Sequence, residues 1–204
     1  GNNSCGSRSI AYGNMVHNVL GIEAILSDGV SEYFGPFGVN AGRAMASGRA
    51  GELVSRLFAL GARERDEIAR VWPKVLRRVG GYNLDVFNPQ SERPYTDDGS
   101  VNLAHLLVGS EGTLGYFRRL VLKLSPLPKA RVLGVVNFPT FWAAMDSAQH
   151  IVKLGPSAVE LVDRTMIELS RANPVFRPTI ERALIERDGT LPEAILLVEF
   201  SGED

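Results

Sequence analysis

A single cysteine, Cys5, stands among 204 residues, so no intrachain disulfide can form. One thiol also disfavours structural zinc and iron–sulfur clusters, which draw on several Cys or His ligands. His17, His105 and His150 lie far apart without HExxH-like spacing. Each is expected to be a surface or satisfied core histidine, and no metal site is expected. Neither charge is in excess: 22 Lys plus Arg face 23 Asp plus Glu, a net charge of -1. A nucleic-acid partner, which normally meets a basic face, is therefore not expected. No unbroken apolar run reaches the roughly 18 residues of a membrane span, so no transmembrane segment is expected. A cytoplasmic location, or the inner face of a membrane, fits a chain with one thiol. The start, Gly1-Asn2-Asn3-Ser4-Cys5-Gly6, has no initiator Met, basic n-region or apolar h-region, and the strand-like run Ile195–Phe200 stops just short of the end. The expectation is an internal piece of a longer chain.

What is present suffices for a core. Apolar residues make up 45% of the chain, too many for global disorder, and the length suits one large or two small domains. Leu20, Ile22, Ala24 and Leu26 alternate along a strand, Ser27-Asp28-Gly29 supplies a turn, and Ser31–Phe34 returns as its hairpin partner. Gly35, Gly38 and Gly42 lead into a helix whose face is Val54, Leu57, Phe58 and Gly61. A second helix presents Ile68, Val71, Trp72 and Val75, with Pro73 expected to end or kink it. Residues 88–100 read as an exposed loop, Leu103–Val108 as a short helix, and Gly115–Leu124 as a strand with Tyr116, Leu120, Leu122 and Leu124 on one face.

Ser125-Pro126-Leu127-Pro128 permits neither helix nor central strand and marks a boundary. The expected domains are 1–126 and 130–204. Beyond the boundary come a strand over Arg131–Phe138 and a helix capped by Thr140 with Phe141, Met145, Ala148 and Val152 inward. Gly155-Pro156 stops that helix. A strand over Ala158–Val162, a helix over Arg164–Ala172, a helix from Pro178 to about Arg187 and a strand over Ala194–Phe200 follow. The order β-α-β-α-α-β resembles part of a ferredoxin-like α+β layer.

Two glycine-rich segments carry the chemistry. Gly1-Asn2-Asn3-Ser4-Cys5-Gly6-Ser7-Arg8 can bring backbone N–H groups close to a ligand; a flexible end is the equal alternative. Gly109-Ser110-Glu111-Gly112-Thr113-Leu114-Gly115 enters a strand and lacks both the Rossmann spacing and the P-loop Gly-Lys-Ser/Thr. Spacing alone leaves it either a nucleotide cradle or a plain turn with a bulge.

These segments, with Leu26-Ser27-Asp28-Gly29, Gly81-Tyr82-Asn83-Leu84 and the tail Leu196–Glu203, resemble the FAD-linked oxidase family. That family includes D-lactate dehydrogenase, the glycolate oxidase FAD subunit and D-2-hydroxyglutarate dehydrogenase. The resemblance covers nearly the whole chain in order. It implies an α+β fold in which the second subdomain of a two-part FAD-binding domain is followed by part of a ferredoxin-like cap domain. It implies FAD as cofactor, lined by Asn2, Asn3, Ser4, Cys5 and Gly6 on one side. Glu111, Gly112, Thr113, Leu114, Gly115, Tyr116 and Phe117 are implied on the other, toward the adenosine end. Tyr116 and Phe117 depart from the family's usual small aliphatics, and Cys5 is expected to be a small packing residue rather than a covalent flavin anchor. The two lining segments are expected to lie together in space.

The resemblance further implies oxidation of a small 2-hydroxy acid by hydride transfer to flavin, with a separate electron acceptor. The stretch 88–100 resembles the long members that carry a fused iron–sulfur module. The family's pyrophosphate loop, substrate arginine, metal-binding histidines and general base match nothing here, so no catalytic residue is assigned and the piece alone is expected to be inactive. A cofactor-free α+β binding module and a different flavoenzyme chemistry on the same scaffold, such as an ether-lipid synthase, remain the alternatives.

Overall fold

A computed structural model describes residues 1–37, 49–90 and 92–203; Gly38 and Gly42, read above as part of a glycine-rich connection, lie outside them. The chain divides into two compact units. One comprises Gly1–Gly6 with Tyr12–Ser125, the other Ser7–Ala11 with Pro126–Asp204. A single helical turn, α1 (Ser9–Tyr12), lies where the chain passes back to the first unit.

In the first unit β1 (Val19–Ile25) pairs antiparallel with β2 (Ser31–Phe34) across the Ser27-Asp28-Gly29 turn. There Asp28 accepts from the Val30 N–H at 3.1 Å and Gly29 takes φ 83. A two-residue strand, β3 (Pro36–Phe37), and two helices, α2 (Arg49–Arg63) and α3 (Arg65–Val71), follow. The last α3 residue stands two places before Pro73, so Val75 falls outside the helix. The α2 face runs as its spacing predicts: Val54, Leu57 and Phe58 pack on the core, and Phe58 meets Phe87 edge-on at 5.1 Å. Gly61 is buried because a Cβ there would meet the Phe87 ring at 2.5 Å. The strand β4 (Val101–Asn102) pairs with β3, the turn α4 (Ala104–Leu107) is buried throughout, and β5 (Tyr116–Leu122) completes the sheet in the order β2-β1-β5.

Two expectations for this sheet change. Val19 faces Leu122 and Gly21 faces Val121, so Leu20 has no partner of its own in β5 and is pushed out, 44% exposed. Ile22 and Ala24 stay buried, but Leu20 does not share their face. On β5 only Phe117 packs on the core, while Tyr116, Leu120 and Leu122 are exposed, as is Leu124 beyond the strand's end. Pairing with β1 on one edge holds the strand without sealing its side chains. Within the stretch 88–100, Tyr95 is half-buried against the core rather than exposed.

The second unit is built on β6 (Ala130–Phe138), α5 (Phe141–Ile151), β7 (Ala158–Asp163), α6 (Arg164–Ala172), α7 (Arg177–Ala183) and β8 (Ala194–Gly202). Its sheet order is β6-β8-β7, with β8 antiparallel to both neighbours. The β6-α5-β7 crossover thus leaves a gap that the last strand fills, a split βαβ arrangement. Thr140 caps α5 by accepting from the Ala143 N–H at 3.1 Å, and Asp163 caps α6 through the Met166 N–H at 2.9 Å. Gly155 ends the turn after α5 in the left-handed region.

The inward stripe of α5 is not the one its large residues suggest. Ala144 is fully buried and Ile151 packs beside it on Leu196 and Val198, while Phe141, Met145 and Val152 are exposed. A small residue at 144 allows close approach of helix to sheet. The next correction is α7, which ends at Ala183 instead of near Arg187. Asn137 of β6 donates to the Ala183 carbonyl at 3.1 Å and accepts from the Ile185 N–H at 3.0 Å, turning the chain out of the helix. On the same unit Arg8 forms a two-pronged ion pair with Glu199 of β8, at 3.0 and 2.8 Å. The Arg8 guanidinium holds the Glu199 carboxyl below the usual carboxylate range.

Candidate functional site

The glycine segment 109–115 begins where α4 ends. Gly109, Glu111 and Gly112 take φ of 88, 52 and 84, so the backbone turns sharply three times before β5. Thr113 locks the turn: its N–H donates to the Ser110 carbonyl at 3.0 Å, and its hydroxyl donates to the same oxygen at 2.6 Å. Only a small residue fits at 109, because a Cβ there would lie 2.8 Å from the Gly81 carbonyl.

Segment 1–6 lies against this turn. The Gly1 carbonyl accepts from both the Gly109 and Glu111 N–H groups, at 2.8 and 2.9 Å. The Asn2 side-chain amide donates to the Glu111 carboxylate at 3.2 Å, while its oxygen accepts from the Ser4 hydroxyl at 2.8 Å. Asn3 is buried and accepts from the Val16 N–H at 3.0 Å, and the Ser4 carbonyl accepts from Met15 at 2.9 Å. The two segments expected to meet are thus brought together across more than a hundred residues of sequence. Tyr116 and Phe117 sit beyond the turn on β5, opposite Ile25 and Ala24, with Tyr116 outward and Phe117 inward.

What this arrangement leaves available is hydrogen-bonding capacity. Among the described residues, the backbone N–H groups of Asn2, Asn3, Ser4, Cys5 and Gly6 donate to no protein acceptor. The Ser110 hydroxyl is buried and likewise has no partner. A row of backbone donors without protein partners suits a polar or anionic ligand. Gly6 has open space where a side chain would stand, and so does Gly112. Cys5 is a free, half-buried thiol. Leu114 faces elsewhere, onto a cavity of about 370 Å³ that Leu26, Leu53, Leu57 and Leu107 also line.

Beneath the two segments runs a buried polar network that motif reading missed. Asn83, fully buried, donates to the carbonyls of His105 and Val108, each at 2.9 Å, and accepts from the Arg78 guanidinium. Arg78 also lies 3.6 Å from Asp85 and 4.6 Å over the Trp72 ring. The Tyr95 hydroxyl donates to Asp85 at 2.8 Å. Burial pushes the Asp85 carboxyl up despite the Tyr95 hydroxyl and Arg78, and burial likewise pushes the Tyr95 phenol up to about 12. His105 donates from Nε2 to the Val19 carbonyl at 2.9 Å, while its buried Nδ1 has no partner. Desolvation lowers its pKa to about 4. The signal for this network was two polar residues, Asn83 and Asp85, alternating with Leu84 and Val86 just after Gly81-Tyr82.

Among the described residues no cluster of His, Cys, Asp or Glu is arranged to hold a metal ion, and no helix is long and apolar enough to cross a membrane.

Residues 127–204 match the family described as FAD linked oxidases, C-terminal domain. Over 202 residues the chain is 28% identical to the D-2-hydroxyglutarate dehydrogenase of Escherichia coli (strain K12), covering 98% of this chain and 19% of that protein. It is 25% identical over 203 residues to the D-lactate dehydrogenase of Archaeoglobus fulgidus, covering 99% of this chain and 31% of that one. A solved structure of alkyldihydroxyacetonephosphate synthase superposes with a TM-score of 0.52 at 17% identity, over 98% of this chain and 27% of that chain. At that identity the likeness speaks for the mixed helix-and-sheet fold alone. The chain spans about a fifth of the length of the D-2-hydroxyglutarate dehydrogenases it matches.

Proposed function

We propose that this chain, which belongs to the FAD-linked oxidase family, lines one side of the cofactor in an FAD-dependent 2-hydroxy-acid dehydrogenase. Residues 1–126 act as the second subdomain of a two-part FAD-binding domain, and 130–204 begin the ferredoxin-like, substrate-side cap. The substrate class is a small 2-hydroxy acid of the D-lactate, glycolate or D-2-hydroxyglutarate type. Electrons leave to a separate acceptor, with a fused iron–sulfur module as the proposed form and the cytoplasm or the inner membrane face as the proposed place.

The observation that carries this reading is the row of N–H groups from Asn2 to Gly6, without protein acceptors and beside the 109–115 turn. Such donors fit the polar edges of a dinucleotide. FAD, when bound, supplies the acceptor for a hydride leaving the substrate Cα. The chain's own contribution is binding and orientation. Ser4 and Glu111 hold the two ends of the Asn2 amide, so its direction is fixed before any ligand arrives. Cys5 is a small packing residue in this reading, and no residue of the chain is assigned an acid, base or metal-ligand role.

Gly6→Val in the full-length protein tests it. No protein atom lies within 4 Å of a Cβ at Gly6, so the substitution fills ligand space alone. Purified wild-type protein is expected to show flavin absorbance and to oxidise D-lactate, D-2-hydroxyglutarate or glycolate with an artificial electron acceptor. Gly6→Val is expected to retain the melting temperature of the apoprotein and to bind FAD at least tenfold more weakly. Unchanged FAD affinity in the variant would overturn the placement of the cofactor.

A further inference from the structure

We infer that Arg78, Tyr82 and Asn83 are positioning residues that set the two cofactor-lining segments against each other. This rests on the cradle reading above and adds a mechanism to it. One short stretch reaches both segments. Toward the first, the Arg78 carbonyl accepts from the Asn3 amide at 3.5 Å and from the Asn14 amide at 3.3 Å. Toward the second, Asn83 holds the His105 and Val108 carbonyls, fixing the exit from α4 into Gly109. The Gly81 carbonyl lies against Gly109, and Tyr82 meets Thr113 hydroxyl to hydroxyl at 2.8 Å.

The proton count gives the last bond a direction. Thr113 spends its hydroxyl proton on the Ser110 carbonyl, so Tyr82 is the donor in the Tyr82–Thr113 pair. The turn is thereby gripped from inside by Ser110 and from outside by Tyr82. The stretch is itself held rigid: the Arg78 guanidinium donates to the Gly80 carbonyl at 2.8 Å and to Asn83, and its charge faces the buried Asp85. A charged group bonded on several sides inside a core has one geometry available to it. Tyr82 is the most exposed of the three, so its hydroxyl can be removed without opening the core.

The test is a double-mutant cycle on FAD affinity in the full-length protein, with melting temperature measured beside it. Tyr82→Phe is expected to weaken FAD binding about fivefold, the worth of roughly one hydrogen bond, at an unchanged melting temperature of the apoprotein. Thr113→Ser, which keeps the hydroxyl, is expected to bind FAD more tightly than Thr113→Val. Thr113→Val is expected to bind more weakly, and adding Tyr82→Phe to it to cost nothing further. Gly6→Val separates the two levels of the argument. If Gly6→Val loses FAD while Tyr82→Phe binds normally, or the pair adds independently, the positioning role is overturned and the cradle stands. If Gly6→Val itself binds normally, the cradle falls and the positioning role with it.

Discussion

The two units solve the problem of order by different means. The first buries Asn3, Asn14, Asn83, Asp85, Asn102, His105 and Ser110, whereas the second buries few polar side chains, Ser157 among them. In the first, apart from α2, α3 and the β2-β1-β5 sheet, one-turn helices and two-residue strands are joined by long irregular stretches whose backbone groups are met by side chains. In the second, ladders of nine and six residue pairs and capped helices satisfy the backbone among themselves. Irregular backbone can shape a ligand site, but each of its polar groups then needs a named partner. Regular backbone needs fewer, and it offers a surface rather than a cradle.

The sharpest way to break this comparison is to remove a partner from the polar network. Asn83→Ala strands two buried carbonyls and part of the Arg78 guanidinium, at a cost of about 3 kcal/mol. Trp72 reports on the first unit and Trp142 on the second. In denaturant titrations of single-tryptophan variants, the Trp72 transition is expected to move to lower denaturant and the Trp142 transition to stay. Equal movement of both would show that the polar network is not confined in its effect to the first unit.

Acid is the next lever. His105 has a folded pKa of about 4 against 6.5 in the unfolded chain, so the unfolded state takes up the proton first. The stability tied to neutral His105 is complete above about pH 6.5 and is lost as pH falls toward 4, roughly 3 kcal/mol in all. The Glu199–Arg8 pair of the second unit weakens lower, as pH falls below the ordinary glutamate value of 4.5. Urea unfolding from pH 7 to 4 is expected to show the Trp72 transition falling before the Trp142 transition. His105→Gln is expected to flatten that first fall; an unaltered pH profile would remove His105 as its cause.

The smallest effect sharpens the other side. Thr140→Ala deletes the α5 cap and is expected to lower second-unit stability by about 1 kcal/mol, read by Trp142 and not by Trp72. A loss above 2 kcal/mol would mean that Thr140 does more than cap its helix.

The same contrast explains what could be read from the residues. Thr140, Asp163, Pro73 and Gly155 act on the backbone within a few positions of themselves, so their helix ends follow from local chemistry. The two lining segments were legible as glycine-rich runs that resemble one family. Their junction through the Gly1 carbonyl joins residues over a hundred positions apart, and no local rule fixes that geometry. Asn83 was legible only as part of a run that resembles the family, and Arg78 not at all: each bonds to several elements, and neither residue announces its partners. Leu20 was misplaced because the bulge depends on the register of β5, a strand that lies about a hundred residues downstream. The α5 face was misread because large apolar residues were weighted over Ala144, where a tight helix–sheet contact needs a small side chain.

The strand order β6-β8-β7 also governs the timing of synthesis. The strands β6 and β7 share no ladder with each other, and the partner common to both, β8, is the last of the three to be made. Between Asp163, where β7 ends, and Ala194, where β8 begins, a ribosome working at about 5–20 residues per second spends roughly 2–6 s. During that interval two apolar strands have emerged with their inner edges open. Nascent chains halted before Ala194 should therefore bind holdase chaperones and resist compaction, and those halted well beyond Gly202 should release them.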